Sequence, residues 1–388
     1  MQNFDVTIPL SLYIHIPWCV RKCPYCDFNS HEAQHDVPED LYIEALLNDL
    51  DEQLPAIWGR RIVSIFFGGG TPSLFSAGAI EKILTGVHHR LRFGPQIEIT
   101  LEANPGTVDE KRFQGFRQAG VNRLSIGVQS LQDEKLHALG RIHNREYALR
   151  AIDAAINAGF DNFNLDLMHG LPAQSIEDAL SDLQDALAFQ PPHLSWYQLT
   201  IEPNTFFHHQ PPRLPEDDVL WEIQEQGKEK LKVAGLHQYE ISAYAKSDRE
   251  CVHNVNYWEF GDYLGIGAGA HSKLTDVSQQ IITRHSQLKN PKDYLNPEKK
   301  FTTSTTVLSE EDIRFEFMLN ALRLTRGVSA ELFTERTGLP LSSLEPILTF
   351  AKEKELMMND PAVICATEQG LRFLNDVISL FLPRKSAS

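Results

Sequence analysis

Residues 13–28, YIHIPWCVRKCPYCDF, decide how this chain is read. They hold three of its five cysteines, Cys19, Cys23 and Cys26, spaced C-x-x-x-C-x-x-C. The apolar run at 12–16 that leads into them has the composition of a buried strand. The thiols therefore fall on a loop just past a strand's carboxyl end. Three thiolates so placed suit two chemistries. They can hold three irons of a four-iron cluster and leave the fourth iron open to a ligand. They can also contribute to a zinc site.

Outward from this stretch the chain alternates. β-rich runs fall at 10–16, 63–67, 96–102, 123–128, 162–168 and 194–201, with helical periodicity at 38–54, 77–91, 109–119, 145–158 and 176–189. Gly120 and Gly159 sit where two of these helices need a carboxyl-end cap. Crossovers of helical length imply parallel strands, because only a long connection returns the chain in the same direction. Six such repeats can form a doubly wound sheet or an incomplete barrel. Polar and glycine residues follow nearly every strand, as around the mouth of a barrel, rather than gathering at one switch point. The expected fold is α/β, a partial (β/α)6 TIM-like barrel over residues 1–236.

The proline-rich QPPRLP at 210–215 is a linker-like break, but helical 216–234 and a strand at 237–244 follow it. An extension at 237–300 carries HNVNYW (253–258) and GIGAGAHS (265–272) among weakly periodic polar residues. From 301 to 388 the pattern predicts a smaller, mainly helical, winged-helix-like domain. Ser309 is its first N-cap, with Asp312 three residues on. Helices are expected near 328–337, 342–355 and 368–381, with a β-prone stretch at 362–366. Winged modules often bind nucleic acid. The mixed, slightly acidic charge here favours a structural or lid role.

With 388 residues, 42% hydrophobic and 23% charged, the chain has material for two or three cores. A net charge of −16 argues against broad attraction to nucleic acid or anionic lipid. No apolar run approaches the ~20 residues of a membrane helix. The amino terminus has neither a basic segment nor a small-residue cleavage site. An odd number of cysteines, three of them clustered, fits a reducing compartment. The expected location is the cytoplasm.

The strand ends carry the remaining polar candidates. Gly68-Gly69-Gly70-Thr71-Pro72 follows the second strand and lacks the Lys-Ser/Thr pair of a phosphate loop. Glu102 ends the third strand, Gln129 the fourth and Asp166 the fifth, while Arg141 lies in HALGRIH. Each alone is an ordinary strand terminus or surface charge. Together they bring two carboxylates, an amide and a guanidinium to one mouth. That set suits a zwitterionic ligand bearing a ribose: Arg to its carboxylate, acids to its ammonium and hydroxyls.

The cysteine loop with Tyr25 before its last Cys, GGGTP, Glu102, GVQS and Asp166 resemble the radical S-adenosylmethionine (SAM) enzymes. Within them they resemble the oxygen-independent coproporphyrinogen III oxidase group, over nearly the whole chain. The resemblance implies a radical SAM barrel and a [4Fe–4S] cluster on Cys19, Cys23 and Cys26, with SAM on the fourth iron. It implies a SAM site of Tyr13, Tyr25, Gly69, Gly70, Thr71, Glu102, Gln129, Arg141 and Asp166. Leu199 or Thr200 and the GIGAGA turn (265–270) would add contacts. No side chain is expected to act as a catalytic nucleophile.

Two features separate the chain from the oxidase itself. The oxidase resembles C-x-x-x-C-x-x-C-x-C after a longer amino-terminal extension. Here Phe28 stands at the fourth cysteine, and Cys19 is near the start. The chain is more similar to the haem-chaperone branch of the group, marked by C-x-x-x-C-x-Y-C-D-F and by H-N-x-x-Y-W. The latter is His253 to Trp258 here. That resemblance implies haem as cargo, with His253 as its candidate axial ligand and Tyr257 and Trp258 as an apolar wall. Cys251 is a further thiolate candidate outside the motif, and Cys365 is expected as a buried structural thiol. The implied partners are an acceptor haem protein such as a membrane respiratory enzyme and an electron donor for the cluster. The rival readings are a coproporphyrinogen III oxidase performing radical oxidative decarboxylation, and an RNA-modifying radical SAM enzyme. The acidic charge disfavours the second of these, and no nucleic-acid partner is expected.

Overall fold

The computed structural model describes Phe4, residues 7–33 and residues 36–383. Residues 1–3, 5 and 6 of the amino-terminal stretch read above, and 384–388 at the other end, lie outside the described residues.

Leu10, Leu12, Ile14 and Ile16 are fully buried, and so is Ser11 between them. A strand covered on both faces belongs inside a parallel sheet, and there β1 (Leu10–Ile16) sits. Five parallel strands follow it in chain order on one side: β2 (Arg61–Gly69), β3 (Arg92–Ala103), β4 (Arg123–Gln129), β5 (Phe163–His169) and β6 (His193–Gln198). Helices α1 (Glu39–Gln53), α2 (Ala77–His88), α3 (Glu110–Ala119) and α4 (Arg145–Asn157) each pack on the next, and α5 (Ile176–Leu187) packs on α6 (Asp217–Val233). Gly120 and Gly159 take φ +111° and +84° just beyond α3 and α4, the left-handed turn that ends a helix. A strand order that never reverses has no switch point, so the doubly wound alternative falls. The arrangement is that of an incomplete barrel.

The chain then extends both edges. β7 (His237–Glu240) and β8 (Ala243–Ala245) add antiparallel strands beside β6. A short helix, α7 (Val252–Trp258), crosses back, and β9 (Asp262–Ile266) pairs parallel with the free side of β1. β10 (His271–Asp276), β11 (Ile281–Gln287) and β12 (Thr302–Val307) continue from it antiparallel. The full order is β12-β11-β10-β9-β1-β2-β3-β4-β5-β6-β8-β7. Asp262 anchors the insertion, buried between Arg60 and Lys273, each at 2.9 Å. Burial works against its charge, but these cations hold its carboxyl below the ordinary range.

In the carboxyl-terminal region Ser309 and Asp312 form a reciprocal capping box at the start of α8 (Glu310–Ala321). A two-stranded ladder, β13 (Val328–Ser329) with β14 (Val363–Ile364), flanks α9 (Ala330–Thr337) and α10 (Glu345–Glu353). This part is mainly helical, as expected. Its core is not separate: Phe317 meets Phe333 at 5.0 Å between ring centroids and Phe260 at 5.7 Å. No helix among the described residues is long and apolar enough to cross a membrane.

Candidate functional site

The carboxyl ends of β1 to β6 open on a cavity of about 540 Å³. The glycine turn after β2 closes onto the cysteine loop after β1. Gly70 N–H donates to the Ile16 carbonyl and Thr71 N–H to the Trp18 carbonyl, both at 2.7 Å. A Cβ on Gly70 would lie 2.5 Å from that Trp18 oxygen, and one on Gly69, whose φ is +116°, would lie 2.6 Å from the His15 ring. The glycines are there first because the two loops touch.

The three thiols are half-buried and free of disulfides. Each has its own hydrogen-bonding partner: Thr71 Oγ1 donates to Cys19 Sγ at 3.4 Å, Arg141 Nη1 donates to Cys23 Sγ at 3.5 Å, and Ser30 Oγ lies 3.8 Å from Cys26 Sγ. Burial raises the Cys19 and Cys26 thiols above their ordinary value, a cost that metal ligation removes by deprotonating them. Among the described residues no three His, Cys, Asp or Glu side chains are gathered as ligands of one ion. In a four-iron cluster each thiolate takes a separate iron, so its sulfurs need not converge as zinc ligands must.

Across the cavity Glu102 is half-buried, with no cation paired to it among the described residues. Burial, aided by Asp166, pushes its carboxyl up to about 8, against a hydrogen bond from Gly69 N–H. Asp166 accepts from Ser125 Oγ at 2.9 Å and Asn164 Nδ2 at 2.8 Å. The β4–β5 register shifts at Gly127/Gln129, and Gln129 takes φ +68°. Such a bulge re-aims a side chain; Gln129 Oε1 receives the Tyr197 hydroxyl at 2.7 Å. Arg141 donates from Nη2 to the Gly127 carbonyl at 2.9 Å, and its Nε is buried without an acceptor. A half-buried acid without a cation and a half-buried guanidinium without an acid are what a zwitterionic ligand would complete.

Of the expected SAM residues, Tyr25, Gly69, Gly70, Thr71, Glu102, Gln129, Arg141 and Asp166 line this cavity, as do Leu199 and Thr200. Tyr13 lines a larger neighbour of about 800 Å³, which shares Cys26, Phe28, Gly69 and Glu102 with the first. Phe28, at the position of the oxidase's fourth cysteine, stands at that junction and is 60% exposed. Ser125, Tyr197 and Glu202 also line the smaller cavity. No motif singles them out; the strand ends that carry them were visible, their direction was not. Gly269 of the GIGAGA turn reaches only the larger cavity.

His253 lines neither of these two but a third cavity of about 240 Å³, shared with Tyr13, Glu102 and Tyr257. It is 1% exposed, on the first turn of α7. The buried carboxylate of Glu98 accepts the N–H groups of Val252 and His253, both at 3.2 Å, as an acid at a helix amino terminus should. Ser64 gives its hydroxyl proton to Ser11, so His253 Nδ1–H donates to Ser64 Oγ at 2.9 Å. Nε2 then accepts the Tyr257 hydroxyl at 3.1 Å. Burial, with Arg123, lowers the imidazole to about 3, so it is neutral. Cys251 faces Glu98 at 3.5 Å, a buried thiol that burial pushes up to about 12. Cys365 is buried in the carboxyl-terminal region.

The Radical SAM superfamily profile matches residues 13–186, and the HemN C-terminal domain profile matches 308–373. The chain is 51% identical over 378 residues to heme chaperone HemW of Haemophilus influenzae, covering 96% of this chain and 98% of that protein. It is 50% identical over 374 residues to HemW of Escherichia coli, with the same coverage. The chain belongs to the HemW family. HemW of Bacillus subtilis is 35% identical, covering 96% of this chain and 99% of its own. Coproporphyrinogen III oxidase (HemN) of Escherichia coli, a radical SAM enzyme, has a structure that superposes with a TM-score of 0.81. That match covers 96% of this chain and 90% of the other at 23% identity, a likeness of fold. Radical SAM membership implies a [4Fe–4S] cluster and SAM for this HemW-family chain.

Proposed function

We propose that this protein binds haem and delivers it to an acceptor haem protein, carrying a [4Fe–4S] cluster and SAM as resident cofactors. The observation that carries this reading is half-identity, over 96% of the chain, to proteins named heme chaperones. Phe28 in place of the oxidase's fourth cysteine supports it. Cys19, Cys23 and Cys26 would hold the cluster. Tyr13, Tyr25, Gly69, Gly70, Thr71, Glu102, Gln129, Arg141 and Asp166 would hold SAM, with Glu102 facing its amino group. A reduced cluster of this kind supplies one electron to the SAM it chelates. The chain's own part is positional: three separate hydrogen bonds orient the thiols and tune the cluster.

His253 would serve the haem. A ligating histidine characteristically donates its second nitrogen to an oxygen, as Nδ1 does here to Ser64. Nε2 would exchange the Tyr257 hydroxyl for iron. A cytoplasmic location, a respiratory haem protein as acceptor and a separate electron donor belong to the same reading. So does the division into a core at 1–236, an extension at 237–300 and a domain at 301–388.

The test is anaerobic. Reconstituted protein is titrated with haem and, in parallel, incubated with SAM, reductant and coproporphyrinogen III. Saturable haem binding that His253→Ala weakens by about tenfold or more, about 1.4 kcal/mol, is the expected outcome. Formation of protoporphyrinogen IX would overturn the chaperone reading. Unchanged affinity in His253→Ala would remove the ligand role.

A further inference from the structure

The larger cavity carries a charge pattern that the functional reading does not assign. On one side stand aromatic rings: Tyr257 and Tyr263 meet edge to face at 4.4 Å between centroids, with Trp258 beside them. Basic side chains line the same cavity. Two cations in the wall are already matched, Lys273 with Asp262 and Arg284 with Glu316. Besides His15, whose ring nitrogens already bond Tyr13 and the Asn29 carbonyl, the others are Lys22 and His31 on the cysteine loop, His271 at the start of β10 and Lys289 beyond β11. No carboxylate among the described residues forms an ion pair with any of these four side chains. Asn29 holds the two sides together by donating to the Ala268 carbonyl at 2.9 Å and the Lys289 carbonyl at 2.8 Å.

Gathering like charges costs free energy unless an anion answers them. Burial and then Lys22 push the His31 imidazole down, and burial and then Lys289 do the same to His271. The whole chain, by contrast, has a net charge of −16. The acids in the same wall are Asp27 and Glu102, the latter held largely protonated near neutrality. Glu32 stands close by, accepting the Lys22 backbone N–H at 3.1 Å. Within the cavity wall the two unpaired lysines, Lys22 and Lys289, outnumber the one remaining carboxylate, Asp27, and the histidines add neutral N–H donors. A cavity of about 800 Å³ with an aromatic wall and a cationic rim fits a flat, apolar dicarboxylate.

We propose that this rim anchors the two carboxylates of the haem, between Lys289 and His271 on the sheet extension and Lys22 and His31 on the cysteine loop. The macrocycle then lies against Tyr257, Trp258 and Tyr263, with one edge toward Cys26 and Phe28. The assignment rests on the haem-binding reading above and adds to it where the ligand sits and which way it faces.

The experiment compares haem with its dimethyl ester on the cluster-loaded full chain, in wild type, Lys289→Ala and Lys289→Glu. Lys289 is exposed, so neither substitution disturbs a core. Wild type is expected to bind the ester about tenfold more weakly than haem, since a charge-assisted bond is lost. Lys289→Ala should weaken haem binding several-fold and Lys289→Glu more, while the ester's affinity stays within twofold. Haem bound equally well by all three proteins, or an ester bound as tightly as haem, overturns the orientation and leaves the haem-binding reading intact. A wild type that binds no haem overturns that reading and this assignment with it.

Discussion

Two cavities adjoin in this molecule, and they are built differently. The smaller is made by the carboxyl ends of successive parallel strands, where a backbone that has just left a strand must show its polar groups. Its residues come in short local groups, one group after each strand in chain order. The larger is made where an insertion wraps round the first strand: α7, the start of β9 and the ends of β10 and β11. Its shape depends on contacts between residues far apart in sequence. Asp49 accepts from Tyr294 Oη at 2.6 Å and Gln287 Nε2 at 2.7 Å, and receives Gly267 N–H at 3.1 Å. A regular scaffold thus carries the cofactor side, and a buried polar network carries the side assigned to cargo.

The sharpest way to break this division is to remove one side. Cys23→Ser should abolish the broad iron–sulfur absorbance and SAM binding while circular dichroism stays unchanged. If the larger cavity is an independent seat, haem affinity should survive. A full four-iron cluster in the variant would show that the ligands are wrong, and loss of haem binding would show that the two cavities act as one.

Two glycines sharpen it further. In Gly70→Ala the new Cβ meets backbone, the Trp18 carbonyl at 2.5 Å and the Pro17 carbonyl carbon at 2.9 Å. Neither can rotate away, so a loss of roughly 1–3 kcal/mol in denaturant unfolding is expected, with poor cluster reconstitution. In Gly269→Ala the Cβ meets the Asn29 side chain at 2.2 Å, at φ +85°. Asn29 would be displaced and the seam between cysteine loop and extension loosened. Haem affinity should fall with the cluster retained. Equal damage to both functions from either glycine would argue against separate construction.

The contrast also marks what the sequence could reveal. The six strands and their helices were legible because each repeats a short local pattern, and the cysteine, glycine and Glu102 positions followed from strand ends. Arg141 read as a surface charge or a carboxylate partner; it is half-buried and spends its Nη atoms on the Gly127 carbonyl and Cys23 Sγ. Gln129 was visible, but its bulge was not, since a left-handed φ at a non-glycine residue leaves no mark in composition. Residues 245–300 read as weakly periodic because α7 has only seven residues and β9 five. Whether such segments fold as they do is decided by partners such as Asp49, more than 200 residues away. His253 was found by its motif, while its setting between Ser64 and Tyr257 was not.

The finest test concerns Glu102, which borders both cavities. In the free protein its carboxyl is held up to about 8 by burial and by Asp166, so at pH 7 most molecules carry it protonated. Polarised amino N–H donors of a cationic sulfonium ligand beside it favour the carboxylate, so SAM binding must expel a proton. Affinity should therefore rise between pH 6 and pH 8, by at most about tenfold per unit, or 1.4 kcal/mol, and level off above 8. Calorimetry in buffers of different ionisation heat should register up to one proton released at pH 7. Glu102→Gln should bind SAM more weakly and without this slope. A flat profile in the wild type would mean that the amino group lies elsewhere. A matching slope for haem binding would mean that Glu102 answers to the larger cavity's ligand as well.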